Sequence, residues 1–180
     1  LYGSEPNVST VSPTVGKELA RNALYGVLIA SIGIIIYVSI RFEFYMALAS
    51  IIALLHDAFF IIALFSITRL EVDITFIAAV LTIVGYSIND TIVTFDRIRE
   101  LNKKKKAKTI EDLQFIVNRS LQQTFTRSIN TVLTVVIAVA ALLVFGSSSI
   151  TNFSIALLVG LVAGTYSSLF IAAQLWLVLK

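Results

Sequence analysis

Apolar and polar positions fall in long blocks along this chain, without the short alternation of a β-sheet protein. A bilayer core takes about 20 apolar residues in a helix, and five blocks are of that order. They are Ala23–Ile40, Phe44–Thr68, Ile74–Phe95, Ser128–Phe145 and Phe153–Leu179. Charged residues mark most of their edges: Arg21 and Arg41, Glu43 and Arg69, Asp73 and Asp96. The links Arg41–Glu43, Leu70–Asp73 and Gly146–Asn152 are short, so the helices they join must run antiparallel as neighbours. The pattern predicts an all-α membrane protein with five transmembrane helices.

Composition agrees. Hydrophobic residues make up 57% of the 180 positions, charged residues only 14%, and the mean hydropathy is +0.90. Soluble domains carry about 25% charged residues, so the surface here is built for lipid. There is no cysteine and one histidine, His56, which excludes disulfides, thiolate metal sites and histidine-rich metal clusters. Leu1 opens a polar leader, residues 1–22. It lacks the basic region, short apolar run and small-residue cleavage site of a signal peptide.

The net charge of +3 is small, but its placement is informative. Residues 96–127 hold nine of the fourteen lysines and arginines, including Lys103, Lys104, Lys105 and Lys106. The positive-inside rule then makes this segment a cytoplasmic loop. Residue 1 is expected outside and the C-terminus cytoplasmic. Lys17 and Arg21 on the outer side run against the rule, and the odd number of spans predicts a further helix upstream, with an external domain. Within the loop, Thr109-Ile110-Glu111-Asp112 fits a capping box. Ile110, Leu113, Val117 and Leu121 follow at helical spacing, which predicts an amphipathic, interfacial cytoplasmic helix leading into the fourth span. The lysine run reads as a topology anchor or as a contact for anionic lipid or a cytoplasmic partner. It has no interleaved aromatics, so nucleic acid is not expected.

A carboxylate at membrane depth costs about 3 kcal/mol on insertion scales and marks a functional site by default. Two are expected here. Asp57 lies mid-span beside His56. Asp90 lies six residues before Asp96, about 9 Å into the span at 1.5 Å per residue. Helical spacing puts Thr82, Tyr86, Asn89, Asp90 and Val93 on one side of the third helix, with Ile83, Ile88 and Ile92 opposite. The fourth helix carries Thr124, Arg127, Thr131 and Thr134 at the same spacing, with Asn130 adjacent. Arg127 is expected to reach toward Asp90. Two readings fit the pair: a proton switch, in which the moving cation changes the acid's proton affinity, or a static ion pair that fixes packing. Asp57 likewise is functional or simply bonded to a neighbouring helix. Gly160 and Gly164 form a G-x-x-x-G pair suited to close helix packing. Asn7-Val8-Ser9 and Asn152-Phe153-Ser154 match the glycosylation pattern, a short motif that arises often by chance. No nucleophile–histidine–acid set, phosphate loop or metal-ligand spacing is present, so neither an enzyme nor a cofactor is expected.

The stretch Val84-Gly85-Tyr86-Ser87-Ile88-Asn89-Asp90-Thr91-Ile92-Val93, followed by Phe95-Asp96-Arg97-Ile98-Arg99-Glu100, resembles the signature of the SecF family, the second half of the bacterial SecDF protein-export factor. Ala53-Leu54-Leu55-His56-Asp57, Thr126-Arg127-Ser128-Ile129-Asn130-Thr131 and the leader segment Ser12-Pro13-Thr14-Val15-Gly16 resemble further SecF segments. The resemblance implies the last five helices of a six-helix half with the architecture of RND transporters. A first helix and a periplasmic domain would precede Leu1. It implies Asp90 as the intramembrane proton-pathway aspartate and Arg127 as the arginine serving it; helical spacing sets Asn89 and Thr131 beside them, and Asp57, His56 and Tyr86 are secondary candidates on the residues alone. It also implies partners: SecD, fused or separate, the SecYEG channel, a preprotein, and H⁺ or Na⁺ as coupling ion, in the bacterial inner membrane. Gradient-linked assistance to preprotein translocation is the expected function. The alternatives are a fragment of an RND-type small-molecule exporter and a structural assembly subunit.

Overall fold

The computed structural model describes residues 13–180, and the described residues are helical throughout apart from short links. Residues 1–12, including the Asn7-Val8-Ser9 motif and the start of the leader, lie outside the described residues. The elements are α1 (Pro13–Arg41), α2 (Phe44–Thr68), α3 (Ile74–Lys105), α4 (Ile110–Phe145) and α5 (Ser148–Leu179). The last is one continuous run with internal changes of pitch: a 3₁₀ turn at Ser148–Ile150, α-helix to Tyr166, a π turn at Ser167–Ala172, and α-helix again to Leu179. Each of the five is long and apolar enough to cross a membrane.

Three helices run further than hydropathy alone suggests. α1 starts at Pro13, so residues 13–22 of the polar leader are helical. Proline is well placed at a helix start, where its missing N–H would have no partner in any case. α3 continues past Phe95 to Lys105, and α4 starts at Ile110 and runs unbroken to Phe145. The amphipathic helix expected after Thr109 is therefore the first part of α4, not a separate element. No proline or glycine interrupts residues 110–145, and nothing else in that stretch breaks a helix. Its apolar face turns inward: Ile116 and Val117 are buried against Phe95, Ile98 and Trp176, with Leu113 and Leu121 packed alongside. Residues 96–127 thus form a helical hairpin extending two spans. Its turn is closed by the capping box, with Thr109 Oγ1 accepting from the Asp112 N–H at 3.2 Å and the Asp112 carboxylate accepting from the Thr109 N–H at 3.3 Å.

Ion pairs tie together the helix ends that this topology brings to one side. Arg41 at the end of α1 meets Asp96 of α3 at 3.2 Å, and Arg99 donates to the Arg41 carbonyl at 2.8 Å. Lys180 after α5 meets Glu43 before α2 at 2.8 Å. At the opposite end Asn152 of α5 donates to the Glu71 carbonyl. Consecutive helices are antiparallel, as the short links require.

α3 packs against every other helix. Its closest approach is to α5, where Gly160 removes the side chain that would obstruct it. A Cβ at that position would lie 2.2 Å from Ile83 Cδ1 and 2.9 Å from Ile61 Cδ1. Gly160→Ala should therefore force Ile83 and Ile61 aside and destabilise the bundle by about 1–3 kcal/mol, read as a lower thermal midpoint in detergent. At the hairpin turn, Thr109→Ala should cost about 1 kcal/mol and Thr109→Ser much less. Amide exchange at residues 110–113 should speed up in the alanine variant only.

Candidate functional site

Two carboxylates sit on the inner side of this bundle, and their surroundings differ. Asp57, in the middle of α2, is 2% exposed. Its Oδ2 accepts from Ser87 Oγ of α3 and from Ser167 Oγ of α5, each at 2.7 Å. Its Oδ1 lies 3.2 Å from His56 Nδ1. Below it the polar chain continues: Thr91 Oγ1 donates to Ser168 Oγ at 2.9 Å, and Ser168 Oγ donates to the Ser87 carbonyl at 3.1 Å. Hydrogen bonds to a charged group contribute about 1.5–3 kcal/mol each. Two such bonds are enough to offset an insertion cost of about 3 kcal/mol.

The π turn makes this possible. With more residues in each turn, it directs the consecutive serines Ser167 and Ser168 inward, and both are fully buried. π turns within α-helices are rare and recur at functional sites. Gly164, one helical turn earlier, lets α5 lie against the network: a Cβ there would be 3.3 Å from Ser87 Cβ and 3.6 Å from Asp57 Oδ2. The two glycines of the G-x-x-x-G pair thus stand where α5 meets α3 and α2.

Asp90, one helical turn along α3 from Ser87, is half-buried. Its Oδ1 accepts a 2.5 Å hydrogen bond from Ser128 Oγ of α4. Its Oδ2 is buried and has no hydrogen-bond partner among the protein atoms described. Arg127, the neighbour of Ser128, makes no ion pair with Asp90 within 4.0 Å. It is exposed and lines a cleft with Asp96, Arg97, Glu100, Gln123 and Thr124. Asp90 therefore stands between a hydroxyl that holds one oxygen and a nearby guanidinium that has not closed on the other.

The stripe expected on α3 does not supply the hydroxyls buried within the bundle. Thr82, Tyr86 and Asn89 are exposed, while the polar residues facing the interior are Ser87, Thr91 and Thr94, on the same side as Ile83. On α4, Thr131 and Thr134 are exposed, and Thr124 and Ser128 are buried. Of the candidates, Asp57 and His56 are brought together, Asp90 joins Ser128, and Asn89, Tyr86 and Thr131 stand outside the hydrogen-bonded network. Lys103 to Lys106 close the end of α3, where Lys104 pairs with Glu100 at 2.7 Å and Lys105 sits 3.8 Å from the Phe115 ring centroid.

Comparison with known proteins places this geometry. A family model described as the C-terminal part of the protein export membrane proteins SecD and SecF matches residues 3–180. The chain belongs to this SecD/SecF C-terminal family. The SecDF protein translocase subunit of Bacillus subtilis is 79% identical over 179 residues, covering 99% of this chain and 24% of that protein. The SecF protein translocase subunit of Alicyclobacillus acidocaldarius is 56% identical over 169 residues, covering 94% of this chain and 55% of that protein. The crystal structure of SecDF from Thermus thermophilus, described as a translocon-associated membrane protein, superposes with a TM-score of 0.82. It is 44% identical and covers 92% of this chain and 23% of its own. The chain thus spans about half of the SecF relative and about a quarter of the SecDF chains.

Sequence reasoning passed over four hydroxyls in this SecD/SecF bundle: Ser87, Ser128, Ser167 and Ser168. The usable signal was small hydroxyl residues inside otherwise apolar helices, with Ser87 and Thr91 one turn apart on α3. Because Asp57 is held by neutral donors, its replacement should discriminate between acceptors. Asp57→Leu should orphan the Ser87 and Ser167 hydroxyls and cost roughly 3 kcal/mol or more. Asp57→Asn, which keeps an acceptor oxygen, should cost clearly less in thermal unfolding of the detergent-solubilised protein.

Proposed function

We propose that this chain works as the SecF-type part of a protein-export membrane protein that uses an ion gradient to assist preprotein translocation. Asp90 is the ion-exchanging group and Arg127 is its electrostatic counterpart. The observation that carries the reading is the half-satisfied state of Asp90: one oxygen held by Ser128, the other buried and without a protein partner, with exposed Arg127 next to Ser128 and not paired with the acid. A group whose only task was packing would be bonded on both oxygens.

When Asp90 is charged, it attracts Arg127 across the α3–α4 interface. When it takes up a proton, that attraction is lost and the guanidinium is free to stay in the polar cleft it lines with Asp96, Arg97 and Glu100. Binding or losing one ion thus changes the force between two helices that continue into the basic hairpin. H⁺ and Na⁺ both fit a carboxylate flanked by hydroxyls.

The family relatives are named as translocase subunits, which supports a Sec role with SecD, fused or separate, the SecYEG channel and a preprotein as partners. The setting is the bacterial inner membrane, with the basic hairpin and the C-terminus cytoplasmic and residue 1 outside. The nine basic residues of segment 96–127 support this orientation.

Asp90→Asn in the full-length protein, at matched membrane levels, should remove the gradient-dependent part of preprotein export in vesicles and leave the ATP-driven part intact. Arg127→Ala should act in the same direction. Unimpaired gradient-dependent export by Asp90→Asn would return Asp90 to a packing role and favour the structural-subunit reading.

A further inference from the structure

Asp57 and Asp90 are separate carboxylates on different helices, but one residue belongs to the surroundings of both. Ser87 donates its hydroxyl proton to Asp57 Oδ2 at 2.7 Å. Its side chain also lines a small cavity whose wall includes Asp90, Tyr86, Gly160, Gly164 and Thr165. The volume is about 10 Å³, the room that one water molecule takes. Asp90 also carries the buried oxygen that has no hydrogen-bond partner. Two of the wall residues, Asp90 and Ser87, carry polar groups that a water in the cavity can bond.

We propose that Asp57 is a second protonation site, linked to Asp90 through Ser87 and a single water in this cavity. This rests on the reading of Asp90 as the ion-exchanging carboxylate. The transfer balances as a chain of exchanges. Protonated Asp90 gives its proton to the water, and the water passes one of its own to Ser87 Oγ. The Ser87 O–H bond that pointed at Asp57 then breaks as an O–H bond forms on Asp57 Oδ2. Asp90 ends as carboxylate and Asp57 as carboxylic acid, with the water and the serine each restored. The chain resets when the serine and the water turn round.

Several features suit Asp57 to this task. Ser167 and Ser87 share Oδ2, so the carboxylate stays in place whether or not Ser87 has turned. His56 is the titratable group that faces it, 3.2 Å from Oδ1, with its side chain 43% exposed. The small Gly164 leaves the space between Ser87 and α5 that the water needs.

Two serines make the same bond to the same oxygen, and only one of them lines the cavity. That supplies the test. Full-length protein carrying this chain is reconstituted into vesicles, and gradient-driven proton movement is followed with a trapped pH-sensitive dye. Native protein is compared with Ser87→Ala, Ser167→Ala, Asp57→Asn and Asp90→Asn, at matched incorporation and with thermal midpoints measured. Ser87→Ala and Asp57→Asn should lower the flux about a hundredfold or more, the low side of what a positioned proton-transfer group contributes. Ser167→Ala, with the same hydrogen bond removed, should keep most of it. Equal losses in the two serine variants would make Asp57 a structural acceptor and overturn the relay, as would full flux in Ser87→Ala. If Asp90→Asn alone loses flux, the relay fails and the reading of Asp90 stands. If Asp90→Asn keeps full flux, the reading of Asp90 fails and the relay with it.

Discussion

A carboxylate inside an apolar helix bundle has to be bonded by its neighbours, and the interior of this protein is arranged around that constraint. Asp57 is fully buried in α2 and draws hydroxyls from α3 and α5 onto one oxygen. For α5 to come that close, it carries glycine at 160 and 164. To present two serines at once, it widens into a π turn. α3 in turn becomes the central helix, in contact with all the others. The packing of three spans is thus set by one acid and the groups that satisfy it, with the apolar contacts of Ile61, Ile83 and Leu161 filling in around it.

Asp90 is built on the opposite principle. It lies on the same helix and faces the same interior, but only one of its oxygens is bonded. The low dielectric that strengthens a satisfied polar network also makes an unsatisfied oxygen costly. A site of this kind responds strongly to a proton, a cation or an approaching arginine. The contrast is between a carboxylate held by hydroxyls from two helices and one, about a helical turn along α3 by way of Ser87, with an oxygen left open.

Much of this was legible in the sequence. The five spans, their antiparallel order, the capping box at Thr109 and the cost of Asp57 and Asp90 follow from hydropathy, loop length and charge. The family signature around Asp90 could be read directly as well. The buried hydroxyls of α3 were harder to read, because period counting treats all polar residues alike. Tyr86 and Asn89 are larger and face outward, while the small hydroxyls Ser87 and Thr91 fit the tight α3–α5 interface. The continuity of α4 was missed because hydropathy marks where a helix becomes apolar, not where it begins. Nothing local in Ser167-Ser168-Leu169-Phe170 announces a π turn. It is favoured by a partner on another helix, Asp57, and partners across a bundle are not visible from one segment.

The central claim is that Asp90 exchanges an ion while the bundle around it stays folded. Infrared difference spectroscopy across a pH step, on the full-length protein in lipid bilayers, tests it most directly. The account predicts a protonated-carboxyl band that appears and disappears with the step in native protein and is missing in Asp90→Asn, with the helical amide bands unchanged. Identical difference spectra from the two proteins would contradict it and leave Asp90 a fixed hydrogen-bond acceptor for Ser128.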